Sequence, residues 1–276
     1  MDEEEALALL QSRVPFSESS KPEAKGLVEA LECIPLAITH AAAYIKTRAP
    51  MTTISSYLEL FHESETNQVR LLDNNSFKDL RQDHSIRHAV MATWWISFTQ
   101  IQKTEQSAAD LLSLMSMFDR QGIPISLPRN STSQLDFDNA LTPLLNFSLV
   151  RPEIGMQSFE MHRLVQLSTR RWLETDRQLH EWIKKSIRVL ATAFPSAYYD
   201  TWEECHVLLP HAREAINHRP GDDEDALNQS EIALNLGNYL DLRGEYKAAE
   251  NIFRLSVTVR EKALGREHPD MLWAIS

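Results

Sequence analysis

The sequence contains little glycine, and the spread of its glycines excludes several kinds of nucleotide-binding and catalytic motif. Only seven occur in 276 residues, and the two that are closest together, Gly237 and Gly244, are seven positions apart. A P-loop needs two glycines five positions apart and then Lys, and the dinucleotide fingerprint and the nucleophile elbow need even closer glycines. We therefore expect no enzymatic activity from this chain, and no binding of ADP or ATP unless a P-loop domain is supplied.

Cysteine is also scarce, which argues against a disulfide framework and a Cys-based zinc site. Cys33 and Cys205 stand far apart and neither has a neighbouring Cys. His84 and His88 have the i, i+4 spacing of two zinc ligands, but Ser85 stands where H-E-x-x-H has its Glu. A second group of metal-ligand residue types has a spacing that puts its members on different sides of a helix, which argues against a shared metal ion. This group comprises Cys205, His206, His211 and His218. The sequence predicts no metal site and a reducing, cytoplasmic setting.

Long apolar runs are absent, and acidic residues outnumber basic ones. No run approaches the ~18 apolar residues that span a bilayer, and residues 1–5 are acidic where a signal peptide is basic. The net charge of 28 Lys and Arg against 39 Asp and Glu is −11, which repels a phosphate backbone at long range. We expect neither a membrane nor a nucleic acid as partner.

The spacing of apolar residues predicts an almost entirely helical chain. Pro35 interrupts the Ala-rich stretch 22–47, so two helices should meet there. Two polar stretches, 64–84 and 219–225, are predicted loops or linkers. The remaining predicted helices are 3–12, 53–62, 85–101, 105–118, 135–147, one that begins after His162, two between 176 and 218, and a hairpin over 226–264.

Three helices between residues 85 and 147 precede two short predicted strands, 149–151 and 158–161, and this order is typical of a winged helix. Such a fold can dock in a major groove, and a basic cluster follows the second strand. The helix that would enter the groove, 135–147, contains two Asp and no Lys or Arg, which argues against DNA binding. The basic cluster comprises His162, Arg163, Arg170, Arg171 and Arg177.

Residues 234–271 resemble a tetratricopeptide repeat (TPR) of the longer type seen in kinesin light chains. Small residues stand where two antiparallel helices approach closely, and Pro269 can start another helix in its first turn. This resemblance implies a protein-binding surface, whereas the alternative is an ordinary helical hairpin. The matching positions are Leu236, Gly237, Gly244, Tyr246, Ala249, Phe253, Gly265, His268, Pro269 and Asp270.

Two upstream segments resemble the NB-ARC family of signal-transduction (STAND) ATPases, especially fungal NLR-like proteins in which such repeats come last. Residues 24–48 resemble the helical subdomain with its G-x-P-L motif, here Cys33 to Leu36. Residues 158–173 resemble the winged-helix subdomain, and Met161-His162-Arg163 stands where the family has Met-His-Asp. The chain departs from the family at Cys33 for Gly and Arg163 for Asp, and it lacks the P-loop domain.

The NB-ARC resemblance implies a nucleotide role for two residues. In the family, the Pro of the first motif packs against adenine and the His of the second reaches the β-phosphate of ADP, and these roles fall on Pro35 and His162. The alternatives are that Pro35 only breaks a helix and that His162 is a capping or core histidine. These two residues are the candidate cofactor-binding positions, and no catalytic or metal-binding residue is predicted.

Together these features predict an all-α fold with a small β-hairpin. The predicted order is a helical NB-ARC-like subdomain at 1–65, a winged-helix subdomain at 85–175, a helical connector at 176–218, and a TPR with the start of a second at 226–276. The predicted function is a non-catalytic regulatory and protein-interaction fragment of an NLR-like ATPase, with self-association possible through the repeat. The alternatives are a TPR scaffold without a nucleotide role and, below it, a winged-helix DNA-binding regulator.

Overall fold

The computed structural model describes residues 1–72, 84–130, 132–153, 155 and 157–264, with the backbone alone at 64–72, 84–88 and 262–264. It confirms the predicted all-α fold with a small β-structure. The described helices are α1 (Glu3–Arg13), α2 (Lys21–Ala30), α3 (Pro35–Thr47), α4 (Ile54–Leu72), α5 (His84–Thr104), α6 (Gln106–Met115), α7 (Ser126–Arg129), α8 (Gln134–Asn146), α9 (Arg163–Thr175), α10 (Leu179–Ala193), α11 (Trp202–Asn217), α12 (Asp223–Leu242) and α13 (Tyr246–Leu264). The strands are β1 (Ile123–Pro124), β2 (Arg151–Pro152) and β3 (Ser158–Glu160).

Helix ends follow local chemistry in the first part of the chain. Asp2 caps α1 by accepting a 2.8 Å hydrogen bond from the Glu5 backbone N–H, and the Glu5 carboxylate accepts one from the Asp2 backbone N–H. The predicted break at Pro35 is confirmed, since α2 ends at Ala30 and α3 begins at Pro35. A proline is well placed there because the first helical N–H has no partner within the helix.

Helix α4 corrects one boundary of the sequence analysis. A helix was predicted over 53–62 with a loop over 64–84, but α4 continues to Leu72. Thr53 and Ser56 begin it with a pair of reciprocal side-chain-to-backbone hydrogen bonds of 2.8 and 3.2 Å. Once a helix has nucleated, each further residue adds a hydrogen bond at low cost, so polar residues extend it without an apolar face. Residues 73–83 lie outside the described part of the chain.

The chain forms two compact units. The first comprises 1–112, 133–151 and 161–175, and the second comprises 113–132, 152–160 and 176–276. In the first unit, the Phe98 ring stacks on Trp94 at 4.8 Å between centroids and meets the edge of Trp172 from α9 at 4.8 Å. Trp94 and Phe98 are fully buried, as expected for a helix that is apolar on most sides.

The second unit contains α10 to α13 and most of the small sheet. The strand order is β1-β3-β2, and β1 pairs with β3 in antiparallel register with Ile123 opposite Phe159. Two histidines hold the connection before β1: Nε2 of His211 in α11 lies 3.0 Å from the Gly122 carbonyl, and Nε2 of His218, directly after α11, lies 3.0 Å from the Met117 carbonyl. The four helices and the β1 connection therefore share one core.

Candidate functional site

Pro35 lies at the exposed beginning of α3, directly after a turn of unusual backbone conformation. Glu32 and Cys33 both have a φ of 53°. This left-handed region is disfavoured for residues that carry a Cβ and is readily adopted by glycine. Cys33 therefore adopts a backbone conformation that glycine adopts more readily, in the turn that leads to Pro35.

His162 lies on the surface between β3 and α9. Its Nδ1 accepts a 3.2 Å hydrogen bond from the backbone N–H of Leu164, which satisfies one of the unpaired donors at the start of α9. A neutral ring in this arrangement carries its hydrogen on Nε2, because Nδ1 is the acceptor. His162 therefore acts as a capping residue and has a second ring nitrogen of donor character.

His40, a residue that the sequence analysis did not single out, connects the two candidate positions. It lies on α3 with Pro35, its side chain is fully buried, and its Nδ1 is 3.5 Å from the Thr93 hydroxyl on α5. The pKa of His40 is lowered to about 3, first by burial and then by the positive charges of His162 and Arg151, against an opposing effect of the Ser148 backbone. The ring is therefore neutral at physiological pH.

His162 is among the charges that lower the pKa of His40, and both residues belong to the first unit. The two motif segments are separated by more than a hundred residues in the sequence, yet they meet in one compact unit. Arg151 is exposed and permanently charged, so it favours an anionic group in its neighbourhood. The only sequence signal for His40 is a histidine within an otherwise apolar helical run.

The candidate protein-binding element is the hairpin of α12 and α13. A Cβ on Gly237 would lie 2.5 Å from the Phe253 ring, so only glycine allows the two helices to approach this closely. Gly244 forms the turn with a φ of 79°. Across the hairpin, the Ser256 hydroxyl donates to the Ser230 carbonyl at 2.8 Å. The predicted hairpin and turn are confirmed, and the predicted start of a second repeat lies outside the described residues.

The connector helix α10 packs on α12 through a charged cluster. Arg188 contacts Asp225 at 3.3 Å and Glu224 at 2.7 Å, and Lys184 pairs with Asp222. Asp225 has no exposed surface, and burial raises the pKa of its carboxyl group. The repeat hairpin is thus held against the preceding helices by ion pairs as well as by apolar packing.

Two further properties concern the described residues alone. No helix among them is both long and apolar enough to cross a bilayer. Nor do their His, Cys, Asp and Glu side chains come together in any group of three that could hold a metal ion. The side chains of His84 and His88 lie outside this description.

Comparisons with known proteins match two segments of the chain to family models. Residues 231–270 match the tetratricopeptide repeat model, a range that includes more than half of α12 and all of α13. Residues 99–178 match a domain of unknown function (DUF7779). The second match covers the segment for which a winged helix was predicted and assigns it no function.

A curated relative extends the similarity over most of the chain. A "nucleotide-binding leucine-rich repeat (NLR)-like protein" of Hyaloscypha variabilis is 32% identical over 258 residues, or 92% of this chain. The chain spans only 26% of the length of that relative. The predicted resemblance to an NLR-like protein with a tetratricopeptide repeat is therefore confirmed: this chain is a homologue of an NLR-like protein and carries a segment that matches the repeat.

Proposed function

We propose that this chain is a non-catalytic regulatory and protein-interaction part of an NLR-like signal-transduction ATPase of the NB-ARC (STAND) class. The observation that carries the proposal is the arrangement in the first unit. Pro35 follows a turn in which Glu32 and Cys33 adopt positive φ, and His162 caps α9 in the same compact unit. In the family that the chain resembles, the matching residues contact the adenine and the β-phosphate of ADP.

The proposed role of this chain is to close a nucleotide site whose phosphate-binding loop belongs to a P-loop domain. Pro35 would pack against the base, and Nε2 of His162 would donate to a phosphate oxygen while Nδ1 continues to cap α9. Such a charge-assisted hydrogen bond is stronger than a neutral one. The helix and strand order over 85–175 supports a winged-helix subdomain that carries His162, and the setting we propose is cytoplasmic.

The proposed interaction surface is the repeat hairpin. Stacked hairpins of this kind bury their faces against neighbouring repeats or against a partner, which is why a match to the tetratricopeptide repeat supports protein binding. We propose that the partner is a protein, either a different protein or a second copy of this chain.

A TPR scaffold without a nucleotide role is the second candidate, and one observation favours it. His162 already has a structural task, because its Nδ1 caps α9. If that is its whole role, the winged-helix segment is a structural element and the repeat carries the function. The two candidates differ in what happens at His162 when nucleotide is bound.

The isolated chain is expected to show no binding of ADP or ATP tighter than the millimolar range. Phosphate binding needs clustered backbone N–H donors on a Gly-rich turn with Lys, and no such turn can be written from the seven glycines. Isothermal titration with each nucleotide, with and without Mg²⁺, measures this directly. Micromolar affinity that depends on Mg²⁺ would contradict the proposal that this part is non-catalytic.

A further inference from the structure

A row of aromatic side chains at the N-terminal end of α11 continues onto α12, away from the candidate nucleotide residues. We infer that this row, the aromatic strip formed by Tyr198, Tyr199, Trp202 and Tyr239, is a docking surface for a peptide segment that presents arginine. The inference does not rest on the nucleotide role proposed above.

The strip begins with two consecutive tyrosines that are largely exposed. Tyr198 is 70% and Tyr199 is 85% exposed, on the 3₁₀ turn Tyr199–Thr201 that leads into α11. Thr201 fixes the turn, because its hydroxyl accepts a 3.0 Å hydrogen bond from the Tyr198 backbone N–H. Tyrosine is enriched in protein interfaces because it presents a large surface and loses little conformational entropy on binding. The turn therefore fixes the backbone from which both rings project, and both rings are open to a partner.

The rings form a continuous path across two helices. Tyr199 lies 5.9 Å from Trp202 between ring centroids, and Trp202 meets Tyr239 of α12 edge to face at 6.3 Å. Tyr239 is buried, and its hydroxyl lies 3.5 Å from Nδ1 of His206. The strip thus has a buried inner end and an exposed outer end, with Trp202 between them.

Three acidic residues lie on the same short segment as the outer end of the strip. Asp200, Glu203 and Glu204 are all exposed and lie within the turn and the first turn of α11. Aromatic faces attract cations through the ring quadrupole, and nearby carboxylates add direct attraction. Charge complementarity therefore favours a basic partner, and an acidic peptide would be repelled.

An arginine of the chain already occupies the inner end in this way. The guanidinium of Arg243 lies over the Tyr239 ring at 5.5 Å, donates to the Tyr239 hydroxyl at 3.4 Å and pairs with Glu245 at 3.1 Å. The outer end likewise combines aromatic rings with carboxylates, and there the rings are exposed. Arginine fits better than lysine because its planar guanidinium stacks on a ring while its N–H groups pair with a carboxylate.

Fluorescence anisotropy with the full chain and a fluorescein-labelled peptide of alternating Gly and Arg tests the inference. Matched peptides carry Lys or Glu in place of Arg. We expect the Arg peptide to bind at physiological salt, the Lys peptide to bind at least several-fold more weakly, and the Glu peptide not to bind. Tyr199→Ala should weaken binding of the Arg peptide about fivefold, the change that corresponds to about 1 kcal/mol for one exposed cation–π contact.

Three further variants separate binding at the strip from general electrostatic attraction. Tyr199→Phe keeps the ring and should bind the Arg peptide like the unaltered chain. Glu203→Gln should weaken binding, whereas Glu231→Gln, which removes an exposed carboxylate from the first half of α12, should not. Equal binding of the Arg and Lys peptides, an unchanged affinity of Tyr199→Ala, or no binding of the Arg peptide would each overturn the inference.

Discussion

Replacing Gly237 by Val is expected to lower the free energy of unfolding by about 3 kcal/mol. The Cβ of any side chain at this position would lie 2.5 Å from the Phe253 ring, well inside van der Waals contact. To relieve this clash, the ring must turn out of the interface, which leaves a gap, or α12 and α13 must separate against the Ser256 to Ser230 hydrogen bond. Urea denaturation followed by circular dichroism measures the loss.

Gly26 provides the matched control, because it also lies within a helix but has room for a side chain. A Cβ there would be 3.5 Å from Leu58, an ordinary contact. Gly26→Ala should therefore raise the free energy of unfolding by about 0.5–1 kcal/mol through better helix propensity. Adding Phe253→Ala to Gly237→Val should recover part of the loss. A Gly237→Val chain as stable as the unaltered one would show that the hairpin is not closely packed.

Acidification from pH 7 to pH 5 is expected to cost about 2 kcal/mol of stability through His40 alone. Burial holds the pKa of His40 at about 3 in the folded chain, against an ordinary value of 6.5. Between these two values the unfolded state binds a proton that the folded state does not, so stability falls as the pH falls through this range. The effect follows from the cost of burying a charged imidazole beside His162 and Arg151.

Urea denaturation of the unaltered chain and of His40→Gln at pH 7 and pH 5 isolates this contribution. The variant should lose about 2 kcal/mol less than the unaltered chain over the same interval, because the other titrating groups are common to both. Both chains must show a cooperative transition at pH 7. Equal losses in the two chains would mean that His40 becomes protonated without penalty and that its surroundings are not those described above.

The sequence predicted best where local chemistry decides the structure. Pro35 lacks the N–H that a helix interior needs, so the end of one helix and the start of the next could be read directly. Gly244 adopts the left-handed conformation of the hairpin turn, and Gly237 marks the close approach of two helices. These residues have one dominant physical reason for their position, and the structure confirms each.

Prediction failed where neighbours that are distant in the sequence decide the outcome. In the sequence, His40 is one polar residue in an apolar helical run. Its surroundings could not be predicted, because Thr93 and His162 are distant from it in the sequence. The continuation of α4 to Leu72 reflects helix propagation through polar residues, which carry no periodic signal. The sequence gives no sign of the aromatic strip either, because Trp202 and Tyr239 lie on different helices and come together only in the folded chain.

Whether His162 reaches bound nucleotide is measured most directly by ADP release from a hybrid protein. In this hybrid, the chain replaces the matching region of the Hyaloscypha variabilis relative, and a fluorescent ADP analogue reports its own dissociation. His162→Ala should speed release about 10- to 100-fold, since a hydrogen bond to a charged group contributes about 1.5–3 kcal/mol. In the isolated chain the same variant should change the free energy of unfolding by under ~1 kcal/mol, which excludes misfolding as the cause. An unchanged rate of release with and without the imidazole would contradict the nucleotide role and leave the repeat as the functional element.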